Sequence, residues 1–234
     1  MHQWLEWARG PGFRFSLALM LLGILRLVAL NILGLLAVTR AARDKKVPMK
    51  TVVRDTAQWL FPFNRVGNRQ LFFTVTSVLF HVCVIVVPLF LGAHILLWER
   101  GFGFGWVAMD QGWADTMTLI AIATAVVLLS RRLFTRQARS LNRVQDYLLP
   151  ILIAAPLVSG YLAMHPAINP FRYDPTMLVH VLSGNLVLIA IPFSKLSHAV
   201  LFPVSQLVSE MGWHLGPNSG TAVAMALSKD GEPI

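Results

Sequence analysis

Long apolar runs separated by short polar stretches dominate the pattern of this chain. A helix needs roughly 20 apolar residues to cross the hydrocarbon layer of a bilayer. Five runs approach or exceed that length, so the pattern predicts an all-α integral membrane protein built as a five-transmembrane-helix bundle. The predicted spans are residues 16–38, 71–97, 115–130, 147–164 and 175–200.

The composition indicates that lipid, and not water, surrounds most of the chain. Of the 234 residues, 56% are hydrophobic and 13% are charged, and the mean hydropathy is +0.62. A water-soluble domain normally carries about 25% charged residues. We therefore assign residues 1–200 to one membrane domain and residues 201–234 to a cytoplasmic C-terminal tail. The N-terminal residues lack a small-residue cleavage site, so the first span is expected to be retained.

Basic residues set the predicted orientation. The formal net charge is +9, and thirteen of the twenty Lys and Arg residues lie in two segments between spans, 40–69 and 131–143. Such clustering is the positive-inside pattern, which places both segments in the cytoplasm and the N-terminus outside. It also argues against a nucleic-acid partner. Trp59, Phe61 and Phe63 accompany arginines within residues 56–69, which predicts a short interfacial helix there.

The cysteine count limits the cofactors. Cys83 is the single cysteine, so the sequence offers no internal disulfide, no cysteine-ligated iron–sulfur cluster and no C-x-x-C-H attachment for a c-type haem. Cys83 itself is best interpreted as a packed apolar side chain.

Four histidines lie within the predicted spans, where polar side chains are costly and usually functional. His81 and His94 are on the second helix, and His180 and His198 are on the fifth. Neutral imidazole ligates haem iron, and axial ligation from two sides leaves no open coordination position. Interhelical hydrogen bonding is the alternative interpretation.

The spacing suggests how these ligands pair. His180 and His198 are 18 residues apart, which is five turns, or about 27 Å, of a straight helix. Because the second and fifth helices run in opposite directions, the pattern predicts an outer haem between His94 and His180 and an inner haem between His81 and His198. Thirteen residues rotate His94 by about 220° from His81, so a straight second helix would not direct both ligands at one partner. Kinks at Pro88 and Gly92 in the second helix, and at Pro192 in the fifth, could reconcile the two helices.

The fifth helix resembles a known family. His180-x3-Gly184 followed by Ile191-Pro192-Phe193-Ser194-Lys195-Leu196-Ser197-His198, with Phe80-His81 on the second helix, is similar to the gamma subunit of respiratory nitrate reductase. That family includes related membrane subunits of sulfate-reducer and heterodisulfide-reductase-like complexes.

The resemblance implies a multi-pass cytochrome b of the cytoplasmic membrane that holds two haem b groups. Such a subunit exchanges electrons with quinone or quinol near the outer haem and, through the inner haem, with a cytoplasmic iron–sulfur partner subunit. The chain is then an electron-transfer subunit of a quinone oxidoreductase complex, and the sequence does not fix the direction of electron flow.

Two further basic residues are candidate cofactor contacts. Arg26 lies in the first span and is expected to pair with a haem propionate, line a quinone pocket, extend to the membrane surface or face a partner subunit. Lys195 is expected to reach an inner propionate or a lipid headgroup. Other side chains lie near the outer surface, where a quinol would release protons: Asp110, Asp115, His165, Tyr173 and Asp174.

A cofactor-free membrane protein is the competing interpretation. The protein would then be a structural membrane anchor, in which the four histidines of the spans pack between helices, or a transport subunit, in which they form a proton relay. A reduced-minus-oxidised absorption spectrum separates the two interpretations.

Overall fold

The computed structural model describes residues 1–41, 49–60 and 71–215, together with Met225 and Ser228. Within these residues the chain is helical and contains no strand. The helices are α1 (His2–Trp7), α2 (Phe13–Ala41), α3 (Met49–Leu60), α4 (Leu71–Phe90), α5 (Gly92–Phe102), α6 (Gln111–Phe134), α7 (Arg136–Leu141), α8 (Val144–Met164), α9 (Tyr173–Phe193) and α10 (His198–Leu215). A π turn, Ala8–Gly12, joins α1 to α2.

Five helical segments are long and apolar enough to cross a membrane, which confirms the predicted number of spans. Hydroxyl groups within these segments donate hydrogen bonds to backbone carbonyl groups one turn back in the same helix. The hydroxyl groups are therefore satisfied although their surroundings are apolar. Thr76, Thr118 and Ser159 show this pattern. The five segments are His2–Ala37, Leu71–Phe90, Gln111–Phe134, Val144–Met164 and Tyr173–Phe193.

Two of the predicted spans are wrong in detail because the backbone breaks inside them. The helix expected over 71–97 divides at Leu91, whose extended backbone (φ −68°, ψ 126°) separates α4 from α5. The helix expected over 175–200 ends at Phe193, and Ser194 is extended. Apolar residues continue on both sides of Leu91, so hydropathy does not reveal that break, whereas Lys195, Ser197 and His198 follow Ser194 within the predicted span.

The chain forms two compact units. The first comprises residues 1–21 and 67–195, and the second comprises residues 22–66 and 196–234. In the first unit α6 packs on α4 and α8, and α8 also packs on α9. Small side chains such as Ala121 and Ala125 lie in its core and allow the close approach of helices that membrane proteins favour.

In the second unit α3 packs against α10. The helix α3 is strongly amphipathic, and Val52 on its apolar face is fully buried. The interfacial helix expected over 56–69 overlaps α3 only at its first five residues, and 61–70 lie outside the described residues. The tail predicted to begin at 201 starts within α10.

Candidate functional site

The break at Leu91 positions His94. Carbonyl groups at the end of α4 have no helical partners beyond the break, and such groups need other donors. Donors from the following segment satisfy three of them and hold α5 in place. The three hydrogen bonds are His94 Nδ1 to the Pro88 carbonyl (3.0 Å), Trp106 Nε1 to the Leu89 carbonyl (2.7 Å) and the Met109 amide to the Phe90 carbonyl (2.8 Å).

The close contact between α8 and α9 positions His180. Its Nδ1 donates to the backbone carbonyl of Pro156, at 2.8 Å. A Cβ atom at Gly160, one turn further along α8, would lie 2.7 Å from the Cε1 and 2.8 Å from the Nδ1 of His180. Residue 160 therefore has to be glycine for the imidazole to occupy this position.

The structure brings His94 and His180 together. Their ring centroids are 5.9 Å apart and their planes differ by 7°. A carbonyl oxygen only accepts hydrogen bonds, so each Nδ1 carries the hydrogen and each Nε2 keeps a lone pair. Metal-ligating histidines characteristically donate their second ring nitrogen to a backbone carbonyl or carboxylate in this way.

The spacing of the rings fits two axial ligands of one metal. Imidazole nitrogens on opposite sides of an ion, each at about 2 Å, place the ring centroids roughly 6 Å apart. An offset stack of two aromatic rings also falls at about 4.5–7 Å. The separation of 5.9 Å between these stacked rings is therefore compatible with both arrangements, and the hydrogen bonds at both Nδ1 atoms leave the Nε2 lone pairs available for ligation.

His94 is suited to act as a neutral ligand. It lies on α5, beyond the end of the Leu71–Phe90 span. Burial in apolar surroundings, together with electrostatic repulsion from His180, lowers the pKa of His94 to about 4. The lone pair of Nε2 is consequently available across the physiological pH range.

The residues around this pair fit a porphyrin better than a bare metal ion. Over the described part of the chain, no group of three or more His, Cys, Asp or Glu side chains could hold a metal. A haem needs only two axial side chains, because its porphyrin supplies the other ligands. A Cβ atom at Gly184, one turn beyond His180, would meet no heavy atom within 4 Å, which leaves room for a flat ring beside the imidazole.

The predicted inner pair is divided between the two compact units. His81 lies on α4 in the first unit, where its Nδ1 donates to the Ser77 carbonyl at 2.7 Å and its ring meets Phe80 edge-on. His198 is the first residue of α10 in the second unit. Because α9 and α10 are separate helices, the expectation that five turns of one straight helix separate His180 from His198 is wrong. The pairing of His81 with His198 stays a prediction.

Lys195 forms an ion pair with Asp146. Its Nζ lies 2.7 Å and 2.6 Å from the two carboxylate oxygens. One of these oxygens also accepts from the Arg143 amide at the start of α8. The Lys195 side chain is half exposed, and a propionate contact at this residue stays a prediction.

Two of the outer candidates, Asp115 and His165, lie in contact between α6 and the end of α8. His165 Nε2 lies 3.3 Å from an Asp115 carboxylate oxygen, and the ring of Tyr161 stacks on His165 at 4.1 Å. Asp110 caps α6 by accepting from the Gly112 amide. This arrangement fixes the ends of the two helices. Of the remaining two candidates, Tyr173 accepts from Arg9 at 3.4 Å and Asp174 lies in the first turn of α9.

Asn185 is a site residue that the sequence interpretation did not single out. It is buried on α9, and its Nδ2 donates to the Ala8 carbonyl in the π turn, at 3.0 Å. A Cβ atom at Gly12 would lie 3.4 Å from that nitrogen, so the π turn and α9 lie close together here. The rule that drew attention to the four histidines, a polar side chain inside a span, applies equally to Asn185.

The fold defines the class: a multi-span helical membrane protein, in which two histidines meet between α5 and α9. No family model and no solved structure matches the chain. A protein of Nitratidesulfovibrio vulgaris strain Hildenborough is 39% identical over 161 residues, which cover 68% of this chain and 70% of that protein. The chain belongs to the same family as that protein, whose name states no activity.

Proposed function

We propose that this protein is a dihaem cytochrome b subunit of a respiratory membrane complex. His94 and His180 ligate the outer haem, and His81 and His198 ligate the inner haem. The subunit carries electrons between membrane quinone and a cytoplasmic partner that holds iron–sulfur clusters. It lies in the cytoplasmic membrane with its N-terminus outside and its C-terminus inside, as the basic segments indicate.

The paired imidazoles of His94 and His180 carry this proposal. They come from helices far apart in sequence, their planes are nearly parallel, and both Nδ1 atoms are held by backbone carbonyls. Together with the family resemblance of residues 180–198, this geometry supports haem b more strongly than a histidine pair used only for packing.

The residues of the chain do three things in this mechanism. The Pro88 and Pro156 carbonyls orient the two rings and make each Nε2 a better donor. Two histidine ligands would leave a bound haem iron no open coordination position, so the site would support electron transfer and not oxygen chemistry. The apolar helices exclude water from it. A b-type haem, when bound, supplies a reversible one-electron couple.

Cationic side chains on the proposed cytoplasmic side support docking of an acidic partner. Arg131 lies 3.7 Å above the ring of Phe73, and Arg132 donates to the Asp146 carbonyl. Both residues close α6, where positive charge also complements the helix dipole. Topology and contact with anionic lipid are the other uses of such residues.

A difference spectrum of the purified protein tests the proposal. We expect a b-type α band and about two haems per chain, as the four axial histidines require. His94→Ala and His180→Ala should each remove one haem, and so should His81→Ala and His198→Ala. His2→Ala, a histidine outside the sites, is the matched control and should retain both.

The outcomes separate the competing functions. A flat spectrum from protein produced under haem-sufficient conditions would favour the cofactor-free anchor or proton-relay subunit. The native chain could instead hold a single haem, which remains in His81→Ala and His198→Ala and is lost in His94→Ala. That result would restrict the proposal to the outer site.

Quinone exchange needs its own measurement. Addition of a quinol to membrane vesicles should reduce the haem of the native chain, since the proposed electron entry lies at the outer site. In His81→Ala, which retains the outer haem, the quinol should still reduce that haem at the native rate. In His94→Ala, which retains only the inner haem, the rate of reduction should fall strongly. Equal rates in the two variants would contradict quinol oxidation at the outer haem.

A further inference from the structure

Arg26 lies in the middle of the apolar run of α2 between Arg14 and Arg40. It is separated by 12 residues from Arg14 and by 14 from Arg40, and no other charged residue lies between those two arginines. Because α2 is continuous from Phe13 to Ala41, these separations correspond to about 18 Å and 21 Å along its axis. That depth is greater than an arginine side chain can span to reach either membrane surface.

The surface of α2 around Arg26 is exposed and apolar. Arg26 itself is exposed, and the most apolar stretch of 18 residues in its span contains no buried residue. Within the described part of the chain, no residue forms an ion pair or a side-chain hydrogen bond with it. Its neighbours one turn away, Leu22 and Leu30, are also exposed, so a guanidinium group lies within a fully apolar surface. A charge in this position needs a partner.

The chain itself cannot supply the counter-ion at this depth. None of its eleven acidic residues falls in the middle of a span, and the three on α6, α8 and α9 lie in or next to the first turn of their helices. A second copy packed in parallel would place one Arg26 opposite the other and add no carboxylate. The acidic residues are Glu6, Asp44, Asp55, Glu99, Asp110, Asp115, Asp146, Asp174, Glu210, Asp230 and Glu232.

We propose that the face of α2 centred on Arg26 binds a transmembrane helix of a different protein, and that this helix carries an Asp or Glu at mid-membrane depth. Gly23 and Ala29 lie three positions before and three positions after Arg26, so they flank it on this face. Small residues there allow close contact between helix backbones. The ion pair fixes both the partner and its depth. Binding at this surface does not require bound haem.

Synthetic peptides test the chemistry of this surface. The full-length chain is placed in phosphatidylcholine vesicles, and association with leucine-rich transmembrane peptides is measured by energy transfer. The peptides differ only at one central residue, Glu or Leu. We expect the Glu peptide to bind about tenfold more tightly than the Leu peptide, the scale of one strong interhelical polar contact. Arg26→Leu should abolish that difference, and Arg40→Leu, which removes an arginine at the membrane edge, should retain it.

Crosslinking in native membranes tests the natural partner. A photoreactive leucine at Leu22 should crosslink to a peptide that contains an Asp or Glu within an apolar stretch, and one at Val28 on the opposite face should not. A crosslinked segment without an acidic residue, or a crosslink to a second copy, would overturn the proposal. So would equal binding of the two peptides. A change of the haem spectrum in Arg26→Leu with no change in peptide binding would assign Arg26 to a propionate instead.

Discussion

At the scale of single residues, two positions show how tightly α9 is held against its neighbours. Gly160 on α8 leaves room for the imidazole of His180, and a Cβ atom at Gly12 would be in van der Waals contact with the amide of Asn185. In each case a polar side chain of α9 reaches a backbone carbonyl of another helix. Close approach of backbones at small residues is the usual basis of helix association in lipid.

Gly160→Ala should displace His180. The new methyl group would lie 2.7 Å from the ring, so the ring or the helix has to move. We expect loss of the outer haem, measured as a halved α band, while the inner haem remains. Gly34→Ala on α2 is the matched control because its methyl group also meets no heavy atom within 4 Å and lies outside the histidine sites. An unchanged spectrum in Gly160→Ala would contradict the proposed role of His180.

Asn185→Leu should weaken the contact between the first helix and α9. The variant removes a buried hydrogen bond to the Ala8 carbonyl, and such bonds between membrane helices contribute about 0.6 kcal/mol on average and at most about 1.7. The free energy of unfolding in mixed detergent micelles should fall by that amount.

Asn31→Leu is the control for this prediction. Asn31 donates to the Leu27 carbonyl of its own helix, so its replacement removes no contact between helices. If the two variants lost equal stability, the interhelical bond of Asn185 would not be the cause.

At the scale of helices, the sequence predicted the spans and a kink near Pro88 and Gly92, but not the extended residues Leu91 and Ser194 that end α4 and α9. Apolar residues flank Leu91 on both sides, so hydropathy does not reveal the first break. At the second break Lys195 follows Ser194 directly, and a continuous apolar run resumes only at Ala199. Pro88 and Gly92 marked the first region, but residue type alone does not say which peptide unit becomes extended. The rotation of about 220° between His81 and His94 applies only to a straight helix. Because the chain breaks at Leu91, that rotation does not determine where the His94 side chain points.

Trp106→Phe should loosen the junction between α4 and α5. The indole Nε1 donates to the Leu89 carbonyl at 2.7 Å, and phenylalanine keeps the ring while it removes this donor. The lost bond should cost about 1 kcal/mol of stability. Since α5 carries His94, the redox potential of the outer haem should shift with it.

Trp113→Phe provides the comparison for the junction. Trp113 is exposed at the start of α6, and its replacement should change neither the stability nor the potential. A shift of equal size in both variants would indicate a general effect of tryptophan loss.

At the scale of the whole molecule, composition and the five apolar runs were enough to predict the class of fold. Contacts between distant segments were not accessible in the same way. The bond from Asn185 to Ala8 joins residues 177 positions apart, and the ion pair of Lys195 with Asp146 joins two helix ends. Neither contact leaves a pattern along the chain, because each depends on how the helices pack.

Cysteine labelling should establish the orientation of the chain. In a Cys83→Ala background, Arg139→Cys and Ile168→Cys place single thiols on exposed residues of the two polar connections. A membrane-impermeant maleimide should label position 168 in intact cells, and position 139 only after the membrane is opened. The reverse pattern would show that the basic segments lie outside.

The extended residue between α4 and α5 also bears on how this family varies. An insertion or deletion in α4 changes the direction of His81 and leaves that of His94 to be set by the hydrogen bonds at the junction. Evolution is therefore free to lengthen or shorten the interval between these two histidines. A search signature with a fixed interval would overlook homologues that keep the same outer pair.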